Sequence, residues 1–233
     1  MKRPRLLVVG SLVMDLIVRA ERFVAPGETI LGTDYHTASG GKGANQAAQA
    51  ALLGAEVIMA GKVGNDAFGK EMLFSLKQTG VDTSRVLIAD NVPSGVGNIQ
   101  IQSGAGKTQN RIVVVPGANM AINTDDIAHL EQEIGSYDMV ILQMEIPMRI
   151  NEMIAKWAAH AGVPVMLNPA PAAALKPGFL SNLCWIAPNE HEASVLTGIA
   201  IETESDISRA ARKLQKDGCA NVIITLGDRG AAC

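Results

Sequence analysis

Short apolar runs that alternate with longer segments of helical periodicity are the feature of this sequence that most restricts its fold. Arg5 to Val9 is almost continuously apolar and stops at Gly10, which is typical of a central strand buried on both faces. Similar strand and helix patterns alternate downstream, at 56–60, 66–79, 85–89, 124–134, 139–142, 148–161 and 163–167. Thr124 is the expected cap of the helix that runs to Ile134. This alternation predicts an α/β protein of the Rossmann type, with a mostly parallel sheet flanked by helices.

Two stretches interrupt that alternation, at about 15–39 and 94–115, because they are rich in turn residues and short extended runs. We expect them to pair into a small β-sheet lid that covers the substrate and excludes water. Residues 1–233 are therefore expected to form one α/β domain that includes this lid. The turn at 104–107 precedes Thr108, but Ile101 occupies the first glycine position of a Walker A loop, so a hairpin turn is expected there.

Composition narrows the class of ligand. The 233 residues are 48% hydrophobic and 18% charged, with a net charge of -3, which suits a globular domain with a sizeable core. Basic residues are scattered and only 3% of residues are aromatic, so nucleic-acid and anionic-membrane surfaces are not expected. Three cysteines without a CxxC pair, and no signal peptide, favour a cytoplasmic location. Small soluble molecules are therefore the expected ligands.

The segment from Ser39 to Gln46 contains three glycines and runs directly into an alanine-rich stretch. This pattern predicts a loop that lets a ligand approach the backbone and presents helix N–H groups to it. Lys42 adds a positive charge, and Asn45 can both donate and accept hydrogen bonds. A plain glycine-rich helix start remains the alternative, since neither GxGxxG nor a complete Walker pattern is present.

Polar residues recur where the predicted strands end. Asp15 lies between apolar residues just beyond the first strand, and Glu145 follows the strand that ends at Leu142. Such residues line one crevice at the carboxyl edge of a parallel sheet, so we expect them to form a site. Each taken alone has a simpler interpretation as a solvent-facing, turn or capping residue.

Asn189 and Glu192 are three residues apart at the start of a predicted helix. This spacing can hold a water-coordinated Mg²⁺ near a phosphate, because Mg²⁺ takes few direct protein ligands. A capping box explains the same Asn-x-x-Glu pattern equally simply. His191 between them is expected to be a surface or packing residue. Thr225, Gly227 and Gly230 are expected to place backbone groups and one hydroxyl near a nucleotide.

With Gly40 to Gln46, Asn168 to Pro171, Pro188 to Glu192 and Ile224 to Gly227 in this order, the whole chain resembles the ribokinase-like (PfkB) family of carbohydrate kinases. This resemblance implies a ribokinase-like fold whose lid often forms a homodimer contact. It also implies ATP- and Mg²⁺-dependent phosphorylation of a pentose, D-ribose or 2-deoxy-D-ribose, at its 5-hydroxyl.

The resemblance assigns roles residue by residue. The implied sugar-binding positions are Val13, Asp15, Gly41, Lys42, Gly43, Asn45 and Glu145. The implied nucleotide-binding positions are Asn189, Thr225, Leu226, Gly227, Asp228 and Gly230. Glu192 matches the acid that is associated with magnesium, here acting through water.

Two departures from the family pattern qualify these assignments. Val13 stands where the family usually has Asn, and because it cannot bind a hydroxyl we expect relaxed selectivity or a preference for 2-deoxyribose. The catalytic Asp of a Gly-Ala-Gly-Asp segment, with the K⁺ loop common in the family, is expected beyond Cys233, in a longer kinase of which this is a shortened form. No catalytic base is therefore assigned within the chain, and we expect these 233 residues to transfer phosphate slowly, since a base contributes about 10²–10⁴-fold.

Other classes of function stay open at this point. A sugar-binding pseudokinase is the rival interpretation of a chain that has an acceptor site but no visible base. A nucleoside kinase of the same superfamily would be expected to stack its base on aromatic residues, and the lid stretches offer only Phe23 and Tyr35. A dinucleotide-dependent oxidoreductase fits less well, because the glycine spacing after the first strand is missing.

Overall fold

The computed structural model describes residues 3–103 and 108–233. Its strands, in chain order, are β1 (Arg5–Val9), β2 (Val13–Ala20), β3 (Asp34–Gly40), β4 (Glu56–Gly64), β5 (Asp82–Ala89), β6 (Gly95–Gln102), β7 (Gln109–Val115), β8 (Met139–Gln143), β9 (Val165–Asn168), β10 (Trp185–Ile186), β11 (Asn221–Val222), β12 (Ile224–Thr225) and β13 (Ala231–Ala232). The α-helices are α1 (Lys42–Leu52), α2 (Ala67–Gln78), α3 (Thr124–Ile127), α4 (Leu130–Glu133), α5 (Met148–His160), α6 (Glu190–Thr197) and α7 (Glu204–Lys216).

The main sheet has seven parallel strands in the order β11-β10-β9-β8-β1-β4-β5. Its central strand β1 is buried on both faces, because Leu7 and Val9 pack into one hydrophobic core while Val8 packs into a second core on the other face. Burial on both faces explains why the strand is a continuous apolar run.

The second sheet is small and mixed, in the order β3-β2-β6-β7, and we call it the small sheet. Strand β2 pairs antiparallel with β3 and parallel with β6, and β6 pairs antiparallel with β7. The predicted fold class, a mostly parallel sheet flanked by helices with a small additional sheet, is confirmed. The predicted hairpin turn at 104–107 lies outside the described residues, but Gln102 and Gln109 on either side of it are paired.

One predicted helix is wrong in its cap and its length. A single helix capped by Thr124 and running to Ile134 was expected, but Asn123 is the cap and two short helices follow, α3 and α4. The Asn123 side chain accepts hydrogen bonds from the N–H groups of Asp125 and Asp126, and the Asp126 carboxylate accepts one from Asn123 N. This reciprocal capping box starts the helix one residue earlier than Thr124 would.

Within residues 3–103 and 108–233, no helix is both long enough and apolar enough to cross a bilayer.

Candidate functional site

The strand order of the main sheet reverses between β1 and β8. The chain adds β4 and β5 on one side of β1, and later adds β8, β9, β10 and β11 on the other. In open α/β sheets, ligands bind outside the carboxyl ends of the strands at such a switch point. Ser11 follows β1 and Glu145 follows β8, so both lie at this position.

A cavity of about 700 Å³ opens at this edge of the sheet. Its walls come from the small sheet, from the start of α1, from the segments after β8 and β9, and from the first turn of α6. The lining residues are Val13, Lys42, Val114, Pro116, Asn119, Met120, Met144, Glu145, Ala170, Pro171, Ala172, His191 and Glu192. The cavity therefore collects Val13, Lys42, Glu145 and Glu192 from four separated stretches of sequence.

Glu145 is fixed through one of its two carboxylate oxygens. Its Oε2 accepts hydrogen bonds from the Ser11 hydroxyl at 2.5 Å and from the backbone N–H of Lys42 at 3.0 Å. The second bond places the negative charge at the N-terminus of α1, where the helix dipole stabilises an anion.

The first N–H groups of α1 are all bonded within the protein. Besides Lys42 N, the N–H of Gly43 donates to Ser11 Oγ at 3.2 Å, and that of Ala44 donates to the Ser11 carbonyl oxygen at 2.9 Å. The expectation that these groups are presented to a ligand is therefore wrong. The helix end instead binds Glu145 and Ser11.

The glycines of this loop allow two segments of backbone to pack together. Gly41 has φ of 95°, and a Cβ there would lie 2.8 Å from Val13 N. A Cβ on Gly43, which is buried, would lie 2.6 Å from Ser11 N. Only glycine fits both positions without moving the β1–β2 connection. That Gly41 and Gly43 also contact sugar stays a prediction.

Asp15 is the third residue of β2, so it lies beyond the first strand and within the small sheet. Two glycines leave room for its carboxylate: a Cβ on Gly97 would lie 2.4 Å from Asp15 Oδ1, and a Cβ on Gly40 would lie 2.7 Å from Oδ2. Partial burial raises the pKa of Asp15, and the negative charge of Glu145 raises it further. Asp15 thus lies close enough to Glu145 for their charges to interact.

Asn45 is less closely associated with the cavity. It is exposed on the first turn of α1, three residues after Lys42, and is not among the lining residues. Three residues along a helix return to nearly the same face, so Asn45 lies on the side of α1 that carries Lys42. Its contact with a sugar stays a prediction.

Asn189 and Glu192 form the capping box that was the simpler interpretation of their spacing. Asn189 Oδ1 accepts from Glu192 N, and Glu192 Oε2 accepts from Asn189 N, both at 2.8 Å. Glu192 is nearly buried yet lines the cavity, as does the exposed His191. In the part of the chain that the structure describes, no group of three or more His, Cys, Asp or Glu side chains could hold a metal ion.

The predicted nucleotide segment lies beside the start of α6. Thr225 forms a parallel bridge with Asn189, and Arg229 pairs with Glu190 at 2.6 Å. The five candidates of this segment do not line the cavity around Glu145: Thr225, Leu226, Gly227, Asp228 and Gly230. Of these five, Thr225, Gly227, Asp228 and Gly230 are exposed. They border the same end of α6 that contributes Glu192.

Sequence analysis missed two residues at this site, Ser11 and Asn119. Both are fully buried. Ser11 is the second residue after β1, so the strand-end rule that selected Glu145 applies to it as well. Asn119 follows the Pro116-Gly117 turn, and nothing local distinguishes it from an ordinary turn residue.

The arrangement defines a class of protein before any comparison. The main sheet has a cavity at its switch point, lined by two carboxylates and a lysine, and the small sheet lies beside it. Such a cavity is suited to a polyhydroxylated small molecule. The carboxylates accept hydroxyl hydrogen bonds, and the lysine supplies positive charge.

Comparison with known proteins makes the assignment specific. The model of the pfkB family of carbohydrate kinases matches residues 3–233, and the chain belongs to this family. A ribokinase of Haemophilus influenzae is 38% identical over 228 residues, which cover 98% of this chain and 74% of the relative. A deoxyribokinase of Salmonella typhi is 34% identical over 227 residues, covering 96% of this chain and 72% of the relative.

A solved structure agrees with the family assignment. The structure of Arabidopsis thaliana ribokinase complexed with ribose and ATP matches with a TM-score of 0.89 and 37% identity, covering 99% of this chain and 74% of that one. The chain is thus a phosphotransferase-family protein that spans roughly three quarters of each of these relatives.

Proposed function

We propose that the protein binds a pentose in the cavity at the switch point and serves ATP-dependent phosphorylation of its 5-hydroxyl. The observation that carries this proposal is the convergence of Lys42, Glu145 and Glu192 on one cavity, with Asp15 close to Glu145. Asp15 and Glu145 supply acceptors for sugar hydroxyls. Catalysis in such a site rests mainly on positioning and on neutralisation of phosphoryl charge.

The phosphate side of the site is assigned to α6 and the segment after β12. Asn189 and residues Thr225 to Gly230 would contact the nucleotide, in agreement with their adjacency at the start of α6. Mg²⁺ fits Glu192 through water, because the described residues include no group of three or more possible ligands and Mg²⁺ retains several waters. The ion would neutralise phosphate charge when bound. The expectation of a general-base Asp and a K⁺ loop beyond Cys233 stays a prediction.

The cavity supports a sugar as the acceptor over a nucleoside. Its lining, within the described residues, includes no Phe, Tyr or Trp side chain on which a base could stack, and His191 contributes its one imidazole. Val13 lies in the wall of the cavity and is almost fully buried. An apolar side chain at this position favours a sugar that lacks one hydroxyl, so we propose 2-deoxy-D-ribose as a substrate alongside D-ribose.

Binding of the two sugars to the purified 233-residue protein tests both proposals. We expect calorimetry to show pentose binding that falls about tenfold or more in Asp15→Asn and in Glu145→Gln, because each loses a charged acceptor. Replacement of Val13 by Asn should shift selectivity toward ribose. Failure of the protein to bind both pentoses would overturn the proposed function. A strong preference of the unaltered protein for ribose would remove only the role of Val13.

We also propose that the protein is a cytoplasmic homodimer in which the small sheet forms the contact. Strand β7 supports this arrangement, since Ile112 to Val115 are four consecutive apolar residues that are each about half exposed or more. Exposed apolar surface of this extent on an edge strand is typical of an interaction site. The cytoplasmic location is supported by the three cysteines of the protein, which are free thiols, as is usual in a reducing compartment.

A further inference from the structure

We infer that Ser11 is a positioning residue for the sugar site: its hydroxyl holds one oxygen of Glu145 at the switch point so that the other is free to receive a substrate hydroxyl. This inference rests on the proposed function and adds to it a residue that makes no substrate contact of its own.

The hydrogen bonds of Ser11 have a defined direction. A hydroxyl has one proton, and that proton is donated to Glu145 Oε2 at 2.5 Å, since an ionised carboxylate can only accept. The Ser11 oxygen in turn accepts from the N–H of Gly43 at 3.2 Å. Ser11 is fully buried, so water cannot replace either partner without rearrangement. The hydroxyl therefore connects the end of β1, the start of α1 and the segment after β8.

Both donors to Glu145 bind the same oxygen. Ser11 Oγ and Lys42 N occupy Oε2, and no hydrogen bond of the described residues involves Oε1. Two bonds to one oxygen fix the rotation of the carboxylate, whereas the Lys42 bond alone would allow it to turn. Loss of the Ser11 hydroxyl would also leave the buried Gly43 N–H without an acceptor, which favours a shift of the helix start.

Ser94 provides a matched control, because it has the same arrangement elsewhere in the fold. Its hydroxyl donates to Asp66 Oδ1 at 2.7 Å and accepts from Gly64 N at 2.9 Å, and the residue is 2% exposed. Asp66 caps α2 and does not line the cavity. Ser94→Ala therefore reproduces the structural cost of losing a buried bridging hydroxyl without disturbing Glu145.

The test is calorimetric titration of the 233-residue protein with D-ribose and 2-deoxy-D-ribose, with thermal melts of every variant. We expect Ser11→Ala to weaken pentose binding about tenfold or more, as befits loss of a hydrogen bond to a charged group, and Ser94→Ala to leave it unchanged at a similar loss of stability. The double variant Ser11→Ala/Glu145→Gln should lose less affinity than the sum of the two single losses, because Ser11 acts mainly through Glu145.

Three outcomes overturn the inference. These are an unchanged pentose affinity in Ser11→Ala, an equal loss of affinity in Ser94→Ala, and fully additive losses in the double variant. Should Ser11→Ala not fold, Ser11→Cys decides, because it keeps a side chain with a weak donor and must also lose affinity. Failure of the unaltered protein to bind any pentose removes the proposed function itself and this inference with it, a result distinct from normal binding that Ser11 does not influence.

Discussion

Asp15 shows how much of this site depends on the residues that flank a functional group. Its carboxylate occupies space that any side chain at Gly97, its direct partner on β6, would fill. Gly40 on β3 leaves the corresponding space on the other side. The small sheet thus carries glycine on two strands around a single acid, an arrangement that lowers sheet stability and keeps the acid open.

Replacement of Gly97 by Ala should displace this carboxylate while preserving the fold. The new methyl carbon would lie 2.4 Å from Asp15 Oδ1, and the end of a side chain moves more easily than backbone does. We expect pentose affinity to fall about tenfold or more by calorimetry, as for loss of a charged hydrogen bond. Gly135→Ala is the control, because its Cβ would meet only Ala161 Cβ at 3.8 Å. Equal affinities in both variants would contradict the role of Asp15.

The protonation of Asp15 should depend on Glu145. Burial is the larger cause of the raised pKa of Asp15, and the charge of Glu145 is the second. Glu145→Gln should therefore lower the midpoint of the Asp15 carboxyl titration, measured by ¹³C NMR, but leave its pKa above the ordinary value of an Asp carboxyl, because burial remains. Since the ionised form accepts hydroxyl protons, pentose binding should weaken as pH falls through the raised pKa of Asp15. A midpoint that does not move in Glu145→Gln would place the two carboxylates too far apart to share a ligand.

At the scale of elements, Asn119 joins the small sheet to the main domain. Its Oδ1 accepts from Leu12 N at 2.9 Å, and its Nδ2 donates to the carbonyl oxygens of Leu12 at 2.7 Å and Pro116 at 2.9 Å. Leu12 lies between β1 and β2, and Pro116 follows β7. One buried amide therefore ties together two of the connections through which the chain passes between the sheets.

Removal of this amide should be costly. Asn119→Ala leaves the N–H and the carbonyl of the buried Leu12 without their partner, while the Pro116 carbonyl keeps the backbone N–H of residue 119. We therefore expect a loss of about 2–4 kcal/mol in the free energy of unfolding. Chemical denaturation measures it, and Asn65→Ala serves as the control, because its hydrogen bond to Asp90 is exposed and its loss should cost about 0.5 kcal/mol or less. Similar losses in the two variants would show that Asn119 contributes no more than a surface amide.

Elements were predictable where local pattern and burial agree. Strand β1 and helix α2 follow from their apolar residues, since these alone decide which faces are buried. The helix at Asn123 was placed wrongly because Asn and Thr are both good caps and the choice depends on Asp126 reaching back. The bonding of the α1 N-terminus was not predictable, because its partner Glu145 is 103 residues away from Lys42.

At the scale of the molecule, the topology brings the site together. Strand-end reasoning selected Glu145 and the Asn189–Glu192 pair because a parallel sheet places all its carboxyl ends along one edge. Strand-end reasoning did not predict that Asp15, on the small sheet, lies close enough to Glu145 for their charges to interact. That proximity depends on how the two sheets are joined through Leu12 and Asn119. The small sheet is consequently part of the proposed binding site as well as the proposed dimer contact.

The exposed apolar strand β7 permits a direct test of association. Ile112 is 52% exposed on the edge strand, and a charge there would have to be buried if two small sheets pack together. We expect Ile112→Asp to convert the protein from dimer to monomer in sedimentation equilibrium, because an unpaired charge at the centre of an interface costs several kcal/mol. Leu52→Asp at the end of α1, 69% exposed and on a helix that packs against β1, β4 and β8 of the main sheet, should leave the dimer intact. A monomeric unaltered protein, or dissociation by both variants alike, would exclude β7 as the specific contact.

Because Val114 on the same strand lines the cavity, a dimer through β7 would also place the partner beside the proposed sugar site. Ile112→Asp should then weaken pentose binding together with dimerisation.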